Sequence, residues 1–440
     1  MGEKVSRRRR LLLGLLGLGL LLGLGPLHPL AAQGLPPDLQ ALIEEAVKAN
    51  AEVKQMRALH SAAKEAVRPA GALDDPEVGF TMKDIPTDTW AFNREPMTQK
   101  MLELSQKFPF PGKRRLRSEV AASQAQAEGF VYQDKVNEIR SKVIMGYWSL
   151  ALAYAGFNIT QRNKEFWDQV VKVTETRYAV GQGMQADVLQ AQVELGTYLD
   201  RLFQWTQKQE SIRGDLNALR SQPPQTPLPQ PQALTPRPFT LKLEDLLAGA
   251  EARPQLQALK AVVDKQEKAV DLARKDYYPD ATVKLGYGFR ETLAPPVNQK
   301  QADMFTGGVM FNLPIWQASK IKPRIREELE KQNAARDARQ STWNSMAAAI
   351  KDRHAKLQRL SRQITLYSQG IIPQARQAAA ASLASYAVGS LDFARLYQNQ
   401  IAAFNAELTL QEYLKEFEEN WAELEWLVGA ELPRRPGGQK

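Results

Sequence analysis

The 440-residue chain contains no cysteine, contains three histidines and carries a formal net charge of +9. The lack of cysteine excludes disulfide bonds, thiolate metal sites and a cysteine nucleophile. The histidines do not have the spacing of a zinc-binding motif, and the basic residues form no cluster interleaved with aromatic side chains. We therefore predict no metal site, no cofactor and no nucleic-acid partner.

The first 32 residues have the pattern of a secretory signal peptide. Arg7 to Arg10 precede an uncharged Leu/Gly run that extends from Leu11 to Gly25, and small residues follow at Ala31 and Ala32. This run is shorter than the ~20 apolar residues of a membrane-spanning helix. A retained N-terminal anchor is the alternative. We expect no 18-residue apolar stretch after the first 32 residues, so insertion of the mature chain into a membrane requires β-strands.

Beyond the leader, the chain is an internal duplication, which organises the rest of the prediction. Three segments of the first half recur in the same order in the second half. The matching pairs are Ala49 to Ala58 with Ala252 to Ala261, Phe108-Pro109-Phe110 with Leu313-Pro314-Ile315, and Tyr178-x-x-Gly181 with Tyr386-x-x-Gly389. The predicted units are a first repeat over 33–222, a proline-rich connector over 223–238, a second repeat over 239–429 and a flexible tail over 430–440.

Each repeat is predicted to contain two strands, because apolar and polar residues alternate there. The predicted ranges are 76–84 and 98–108 in the first repeat and 280–291 and 302–313 in the second. The candidate lipid-facing residues of these strands are Val78, Phe80, Leu102, Leu104, Val283, Leu285, Tyr287, Phe289, Phe305, Val309 and Phe311. A soluble hairpin shows the same alternation, so the strands alone leave a transmembrane barrel and a small soluble sheet open.

The segments that follow the strands predict helices of unusual length. Residues 113–178 contain no proline, and a helix of this length would extend ~100 Å. Apolar residues recur at every third or fourth position in this segment and in the segment after the first Tyr-x-x-Gly, which predicts an apolar seam along both. Each repeat therefore forms a long antiparallel coiled-coil hairpin, with its tip at 178–184 or 386–391. Pro373 predicts a kink in the second hairpin.

The predicted fold class is mainly α with a small β part. One chain supplies four strands, which are too few to close a barrel. Because hydrocarbon does not tolerate unpaired strand edges, a membrane-inserted sheet has to close by association of identical chains in a ring. Three chains of four strands each reach an even strand number within the range of bacterial barrels. The sequence therefore predicts a four-strand contribution to a trimeric transmembrane β-barrel.

These features resemble the TolC family of outer-membrane efflux channels, the outer-membrane component of tripartite pumps, over nearly the whole mature chain. The residues that carry the resemblance are Asp75-Pro76-Glu77-Val78, Phe108 to Arg114, Tyr178-x-x-Gly181, Asp187-Val188-Leu189, Ile371 to Ala375 and Tyr386-x-x-Gly389. The resemblance implies a homotrimer in the outer membrane of a Gram-negative bacterium, with a β-barrel in the lipid and an α-barrel of helices in the periplasm. It also implies a periplasmic adaptor (membrane fusion protein) and an inner-membrane transporter of the RND type as partners.

The resemblance further implies that the hairpin tips dock the adaptor. The candidate docking residues are Tyr178, Gly181, Met184, Tyr386, Gly389 and Leu391. The two glycines could instead serve the turn alone, by adopting a positive φ.

The tunnel entrance of this family is closed by two aspartates in the second repeat, but this chain has Arg395 and Gln398 at those positions. The candidate entrance charges are therefore Asp187, Asp392 and Arg395. Threefold symmetry would turn any one of them into a charged ring. Each could instead be a solvated charge, and an aspartate there could stabilise a helix N-terminus.

The predicted function is a passive conduit that exports small solutes, drugs or metal cations, and not an enzyme. No catalytic motif is present in the sequence. Two alternatives remain: a type I protein secretion conduit with the same fold, and a periplasmic coiled-coil adaptor or scaffold without a pore. The segment from Phe108 to Arg114 resembles the branch of the family associated with heavy-metal efflux, although no methionine or histidine cluster accompanies it.

Overall fold

A computed structural model describes residues 35–434 of the chain. The predicted signal peptide lies outside this range, as does most of the predicted C-terminal tail. The first half contains, in chain order, α1 (Pro37–Ala49), α2 (Ala51–Glu65), α3 (Val67–Gly71), β1 (Glu77–Lys83), β2 (Gln99–Phe108), α4 (Lys113–Ala179) and α5 (Gln185–Leu219).

The second half follows the same general order of helices, two strands and long helices. It contains α6 (Leu243–Ala250), α7 (Pro254–Arg274), β3 (Ala281–Phe289), β4 (Met304–Phe311), α8 (Lys322–Leu366), α9 (Ile372–Ala387) and α10 (Phe393–Val428). The predicted fold class, mainly α with a small β part, is confirmed. A π-helical turn at Tyr367–Ile371 joins α8 to α9 immediately before Pro373. This wider turn accommodates the missing N–H at the position where the sequence predicts a kink.

The long hairpin of α4 and α5 is held together by close contacts at glycines. A Cβ atom on Gly156 would lie 2.5 Å from the ring of Trp205. The indole N–H of Trp205 donates to Thr160 Oγ1 at 3.0 Å, which fixes the ring over this glycine. The glycine that interrupts the helical pattern therefore lets the partner helix approach, in an interior that has no room for added atoms.

One segment of α4 is long enough and apolar enough to span a membrane. Residues 143–160 carry no charged side chain, so the prediction that no 18-residue apolar stretch follows the leader is wrong. In the structure, 61% of the apolar window is buried within the protein. Ile144, Tyr147 and Leu150 belong to the main core. This burial explains the composition of the segment, because the core helix of any large protein has the same pattern.

The helices share two hydrophobic cores. The larger core brings α1, α4, α8 and α10 together around Tyr147, Ile350 and Phe417. Leu234 of the proline-rich connector packs into the same cluster, so the connector is part of this core. The smaller core lies towards the hairpin tips and is rich in aromatic side chains. Its largest members are Trp167, Tyr198, Tyr386, Phe393 and Phe404.

The four strands form one antiparallel sheet in the order β1-β2-β3-β4. Strands β2 and β3 pair with each other, so the sheet joins the two halves of the chain. Strands β1 and β4 are its edges and have no partner strand within residues 35–434. The unpaired N–H and C=O groups of these edges are available to pair with strands of another chain.

Candidate functional site

The register of the sheet places the candidate lipid-facing residues on one face. Phe80 pairs with Leu102, Leu102 with Tyr287, and Tyr287 with Phe305, so four apolar side chains form a row across all strands. Residues two positions apart along a strand point to the same side. The remaining candidates on this face are Val78, Leu104, Val283, Leu285, Phe289, Val309 and Phe311.

This apolar face is not covered by the rest of the described chain. Phe305 is 72% exposed, Val78 is 70% exposed and Phe80 is 61% exposed. The other candidates are also exposed, except Val283, which is half-buried. A soluble antiparallel sheet normally packs its apolar face on a core, and an exposed patch of this kind marks an interaction with lipid or protein.

The opposite face of the sheet carries mainly small, polar and charged residues, together with Met101, Met304 and Met310. Gly79, Thr81, Glu103, Gly286 and Thr306 lie there in the centre of the sheet. The sheet therefore has one apolar face and one polar face, which is the two-sided pattern of a barrel strand.

A buried ion pair joins the sheet to the long helix of the first half. The Asp280 carboxylate accepts from the Phe110 N–H at 2.9 Å and from Lys113 Nζ at 2.9 Å, and the Lys113 side chain is 5% exposed. Desolvation opposes ionisation of Asp280, but these two hydrogen bonds outweigh it, so the pKa of the Asp280 carboxyl is lowered. Residues of both repeats therefore meet at the junction between strands and helices.

Sequence reasoning noted the Phe108 to Arg114 motif but missed this role. Gly112 has a φ of +91°, a left-handed conformation that glycine adopts readily, and it begins α4 directly after the Pro-rich turn. The ring of Phe110 stacks on Tyr278 at 4.4 Å. Lys113 and Asp280 are 167 positions apart, so their pairing leaves no local pattern in the sequence.

The two hairpin tips differ in their exposure, although their sequences match. At the first tip Tyr178 is 50% exposed and Met184 is 71% exposed. At the second tip Tyr386 is 2% exposed and Leu391 is half-buried. Gly181 and Gly389 have φ values of +72° and +81°, so both serve the turn geometry. The first tip therefore presents the larger side chains, whereas the tyrosine of the second tip is part of the interior.

Tyr386 connects the second hairpin tip to the first through hydrogen bonds. Its hydroxyl donates to Asp187 Oδ2 at 3.0 Å. The Arg177 guanidinium lies 4.6 Å from the centre of its ring and donates to the Tyr386 backbone carbonyl. Arg177 also donates to the Gln182 carbonyl at 3.0 Å. Sequence reasoning missed Arg177, whose only signal is its place directly before Tyr178.

The three candidate entrance charges have different surroundings. Asp187 accepts a hydrogen bond from the Tyr386 hydroxyl. Asp392 is the N-cap of α10, and its Oδ1 accepts from the Arg395 N–H at 2.7 Å. This is the helix-capping role that was the alternative for Asp392. Arg395 itself is exposed on the first turn of α10. The structure therefore brings Asp187 and Tyr386 together and places Asp392 and Arg395 one helical turn apart.

The Tyr386 hydrogen bond predicts a pH-dependent contribution to stability. Desolvation and the bond to Asp187 raise the pKa of Tyr386 to about 12. The folded state thus holds this proton more tightly than the unfolded chain, where tyrosine has a pKa of about 10. The stabilisation is complete below about pH 10 and is lost as the pH rises to about 12.

Tyr386→Phe is therefore expected to lower the free energy of unfolding by about 1.5–3 kcal/mol at neutral pH. The deficit should shrink as the pH rises above about 10. Thermal unfolding of the detergent-solubilised protein at several pH values measures both effects. Tyr178→Phe, at the matching exposed position, is the control and should leave stability unchanged. A Tyr386→Phe deficit that is independent of pH would contradict the assignment of the hydrogen bond.

Comparison with known proteins identifies the family. The model of the outer membrane efflux protein family matches residues 42–220 and 249–430, one segment in each half. The multidrug resistance outer membrane protein MdtP of Escherichia coli is 26% identical over 215 residues, which are 47% of this chain and 42% of MdtP. The chain thus spans less than half the length of this relative.

Two further comparisons cover most of the chain. The cobalt-zinc-cadmium resistance protein CzcC of Cupriavidus metallidurans is 24% identical over 388 residues, which are 87% of each protein. The crystal structure of the outer membrane protein VceC of Vibrio cholerae superposes with a TM-score of 0.74 at 20% identity, over 89% of this chain and 96% of VceC. This likeness shows a shared fold. Because the family model matches far more than half of the residues, in both halves of the duplication, the chain belongs to the outer membrane efflux protein family.

Proposed function

We propose that this protein is one subunit of a homotrimeric outer-membrane channel and that it exports small solutes as a passive conduit, without catalysing a reaction. The observation that carries the proposal is the four-strand sheet with one exposed apolar face and two open edges. Association of three chains through β1 and β4 would pair both edges and close a barrel. The apolar face would then meet lipid and the polar face would line a water-filled lumen.

The exposed apolar face also supports the channel over the periplasmic scaffold alternative. A scaffold with a soluble sheet would have to cover these side chains, and nothing within residues 35–434 does so. The long hairpins would extend from the barrel into the periplasm and form an α-barrel. The Lys113–Asp280 pair at the base of α4 would keep helices and strands aligned.

For the pump partners, we propose that the exposed first tip docks a periplasmic adaptor, which links the channel to an inner-membrane transporter of the RND type. Val180 is 63% exposed and Val388 is 80% exposed, so both tips present apolar side chains around their turns. Exposed apolar side chains at the end of a soluble hairpin favour a protein contact. The buried Tyr386 would support this surface without touching the partner.

For the cargo, we propose drugs or metal cations. The relatives are named for multidrug resistance and for cobalt, zinc and cadmium resistance. CzcC aligns over 87% of both chains, which supports metal cations as one of the cargo classes to test. A protein secretion conduit shares the fold, and no feature of the described residues favours it.

The decisive experiment measures single-channel conductance of the purified mature protein in planar bilayers, together with its mass in the same detergent. We expect discrete, stable current steps from a complex of three chains. A water-soluble monomer that never inserts would instead support the scaffold. A detergent complex with another number of chains would contradict the trimer. The conductance would then decide by itself whether the protein is a conduit.

A further inference from the structure

The apolar face of the sheet continues past the last residue of β4. The Asn312 N–H donates to the Asp280 carbonyl at 3.2 Å, so the extended pairing reaches one residue beyond Phe311. Leu313 therefore points to the same side as Phe311, because alternate positions of an extended chain share a side. Leu313 and Trp316 are both exposed. An exposed apolar strip thus runs from the sheet to the start of α8.

Basic side chains begin where this apolar strip ends. Lys320 lies one turn after Trp316, and its N–H donates to the Trp316 carbonyl at 3.0 Å. Lys322 is the first residue of α8. Both lysines are exposed. The ion pairs of this part of α8 involve Arg324 and Lys331 instead, so neither lysine is neutralised by an acid within residues 35–434.

The same order of aromatic and basic side chains occurs at the end of β2. Phe108 ends this strand on the apolar face and is exposed. Phe110 and Tyr278 stack on each other directly after it. Lys275 Nζ lies 5.7 Å from the centre of the Phe110 ring and 5.5 Å from that of Tyr278, within the range of cation–π attraction. A lysine thus follows the apolar face at this strand as well.

These basic residues belong to one continuous surface. The turn at Lys275–Tyr277 contacts the turn at Gln317–Ile321. Asp276, in the first of these turns, lies 3.5 Å from both Lys113 and Arg324, so it joins the starts of α4 and α8. Helix α3 and the segment after it contact the start of α4. The segments that leave the sheet therefore meet at one level, between the strands and the helices.

This level of the molecule has a net positive charge. The residues concerned, here called the junction band, are 68–77, 107–119, 271–280 and 312–326. The band contains twelve Lys and Arg side chains and seven Asp and Glu side chains, which leaves a net charge of +5. The acids that follow it on α8, Glu327 and Glu328, pair with Lys331.

Ion pairs inside the band neutralise only part of its basic residues. Four acids pair with four basic residues, namely Asp271, Asp276, Asp280 and Glu119 with Arg274, Arg324, Lys113 and Arg115. The other three acids and eight basic residues of the band form no ion pair within residues 35–434. The unpaired basic residues are Arg68, Lys107, Arg114, Arg117, Lys275, Lys320, Lys322 and Arg326. The band therefore presents an excess of cationic groups beside an apolar surface.

We propose that the junction band binds the phosphate headgroups of anionic phospholipids in the periplasmic leaflet of the outer membrane. The inference rests on the proposed barrel, because the band lies at headgroup level only if the apolar face lies in hydrocarbon. Tryptophan and tyrosine are enriched at the boundary between lipid and water, and basic clusters next to this boundary attract anionic headgroups. Charge complementarity selects an anionic lipid over a neutral one.

The apolar strip favours a ligand that carries acyl chains as well as a phosphate group. A free phosphate ion would contact the basic residues alone, whereas the chains of a phospholipid would also cover Leu313 and Trp316. Burial of these exposed side chains would add to the attraction between the charges. The bound lipid would hold the junction between strands and helices at a fixed depth in the membrane.

The test uses Trp316 as a reporter in the reconstituted mature protein. Vesicles of phosphatidylcholine contain a minor fraction of brominated lipid, either phosphatidylglycerol or phosphatidylcholine, and bromine quenches tryptophan fluorescence at short range. The quenching that is lost in Trp316→Phe reports lipid at this site. We expect phosphatidylglycerol to bind about fivefold more tightly at low salt, the effect of one basic residue near the surface. This preference should vanish near 1 M salt, where the Debye length is ~3 Å.

Lys320→Gln combined with Lys322→Gln should reduce the preference to about one. Lys351→Gln combined with Arg362→Gln is the matched control. It removes two exposed charges from the same helix, at least ~44 Å from Lys322 along the helix axis, and should leave the preference unchanged. An equal loss in both double variants would assign the preference to the overall charge of the protein and would overturn the assignment to the band.

Inorganic phosphate separates a lipid site from a site for free anions. At constant ionic strength it should leave the preference unchanged, and full competition by inorganic phosphate would overturn the lipid assignment. Wild-type protein that inserts and forms channels, but is quenched equally by the two brominated lipids at low salt, would overturn this inference and leave the proposed channel intact. If the wild-type protein never enters the vesicles, both proposals fail.

Discussion

Leu285→Arg is expected to abolish assembly of the protein in the outer membrane. Leu285 lies in the middle of β3, between Leu104 and Gly307 in register, and is 44% exposed on the apolar face. An arginine on the lipid side of a barrel costs ~2–4 kcal/mol at the membrane midplane. Because each trimer would contain three copies, the total penalty is comparable to the ~5–15 kcal/mol net stability of a typical protein.

The matched control is Thr282→Arg on the same strand. Thr282 points to the polar face, where it pairs with Lys107 and Met310, so an arginine there would remain in water. The measurement is the amount of detergent-resistant trimer recovered from outer membranes. We expect near wild-type recovery for Thr282→Arg and little or none for Leu285→Arg. Equal recovery would contradict the assignment of the two faces.

A second pair on β4 repeats the test. Val309→Arg changes the apolar face, and Thr306→Arg changes the polar face of the same strand. Asn312, directly after β4, would be an unsuitable control. Its side chain accepts a hydrogen bond from the Asp280 N–H, so a substitution there would also disturb the junction between strands and helices.

The strands and long helices were predictable because their signals are local. Alternation of apolar and polar residues identified the strands, and uninterrupted three-to-four spacing identified the helices. The same local rules do not distinguish the apolar segment at 143–160 from a membrane-spanning helix, since a buried core helix and a membrane helix share a composition. Only the packing of α4 against its neighbours separates the two interpretations.

The contacts that hold the functional regions together were not predictable, because each joins residues far apart in the chain. Lys113 and Asp280 come from different repeats, as do Arg177 and Tyr386. The duplication was itself misleading at the tips, since it suggested equivalent tyrosines. Tyr178 is exposed and Tyr386 is buried, so two copies of one motif have taken different roles in one chain.

Glu418→Gln is expected to be the most destabilising charge substitution in the helical region. The Glu418 side chain is 6% exposed and accepts from Arg237 of the proline-rich connector and from Arg434 near the C-terminus, the latter at 3.3 Å. Arg434 also pairs with Glu425 at 2.8 Å. One carboxylate of α10 thus binds both the connector between the repeats, through Arg237, and the segment after α10, through Arg434.

Removal of this charge would leave Arg237 without its anionic partner in a site from which water is largely excluded. Breaking a buried pair by removing one partner costs ~3–5 kcal/mol, because the remaining charge is uncompensated. We expect a loss of about this size in the free energy of unfolding, measured by denaturant titration of the detergent-solubilised protein.

Glu416→Gln, two residues earlier on the same helix, provides the comparison. Glu416 pairs with Arg359 at 2.7 Å, but the two side chains are 39% and 51% exposed, so water screens the pair and its loss should cost ~0–1 kcal/mol. The difference between the two variants measures what burial adds to an ion pair of the same chemical type. If Glu418→Gln lowers the free energy of unfolding no more than Glu416→Gln does, the pair with Glu425 is sufficient to hold Arg434 in place. The connector is then held by its apolar contacts, such as that of Leu234, instead of by Arg237.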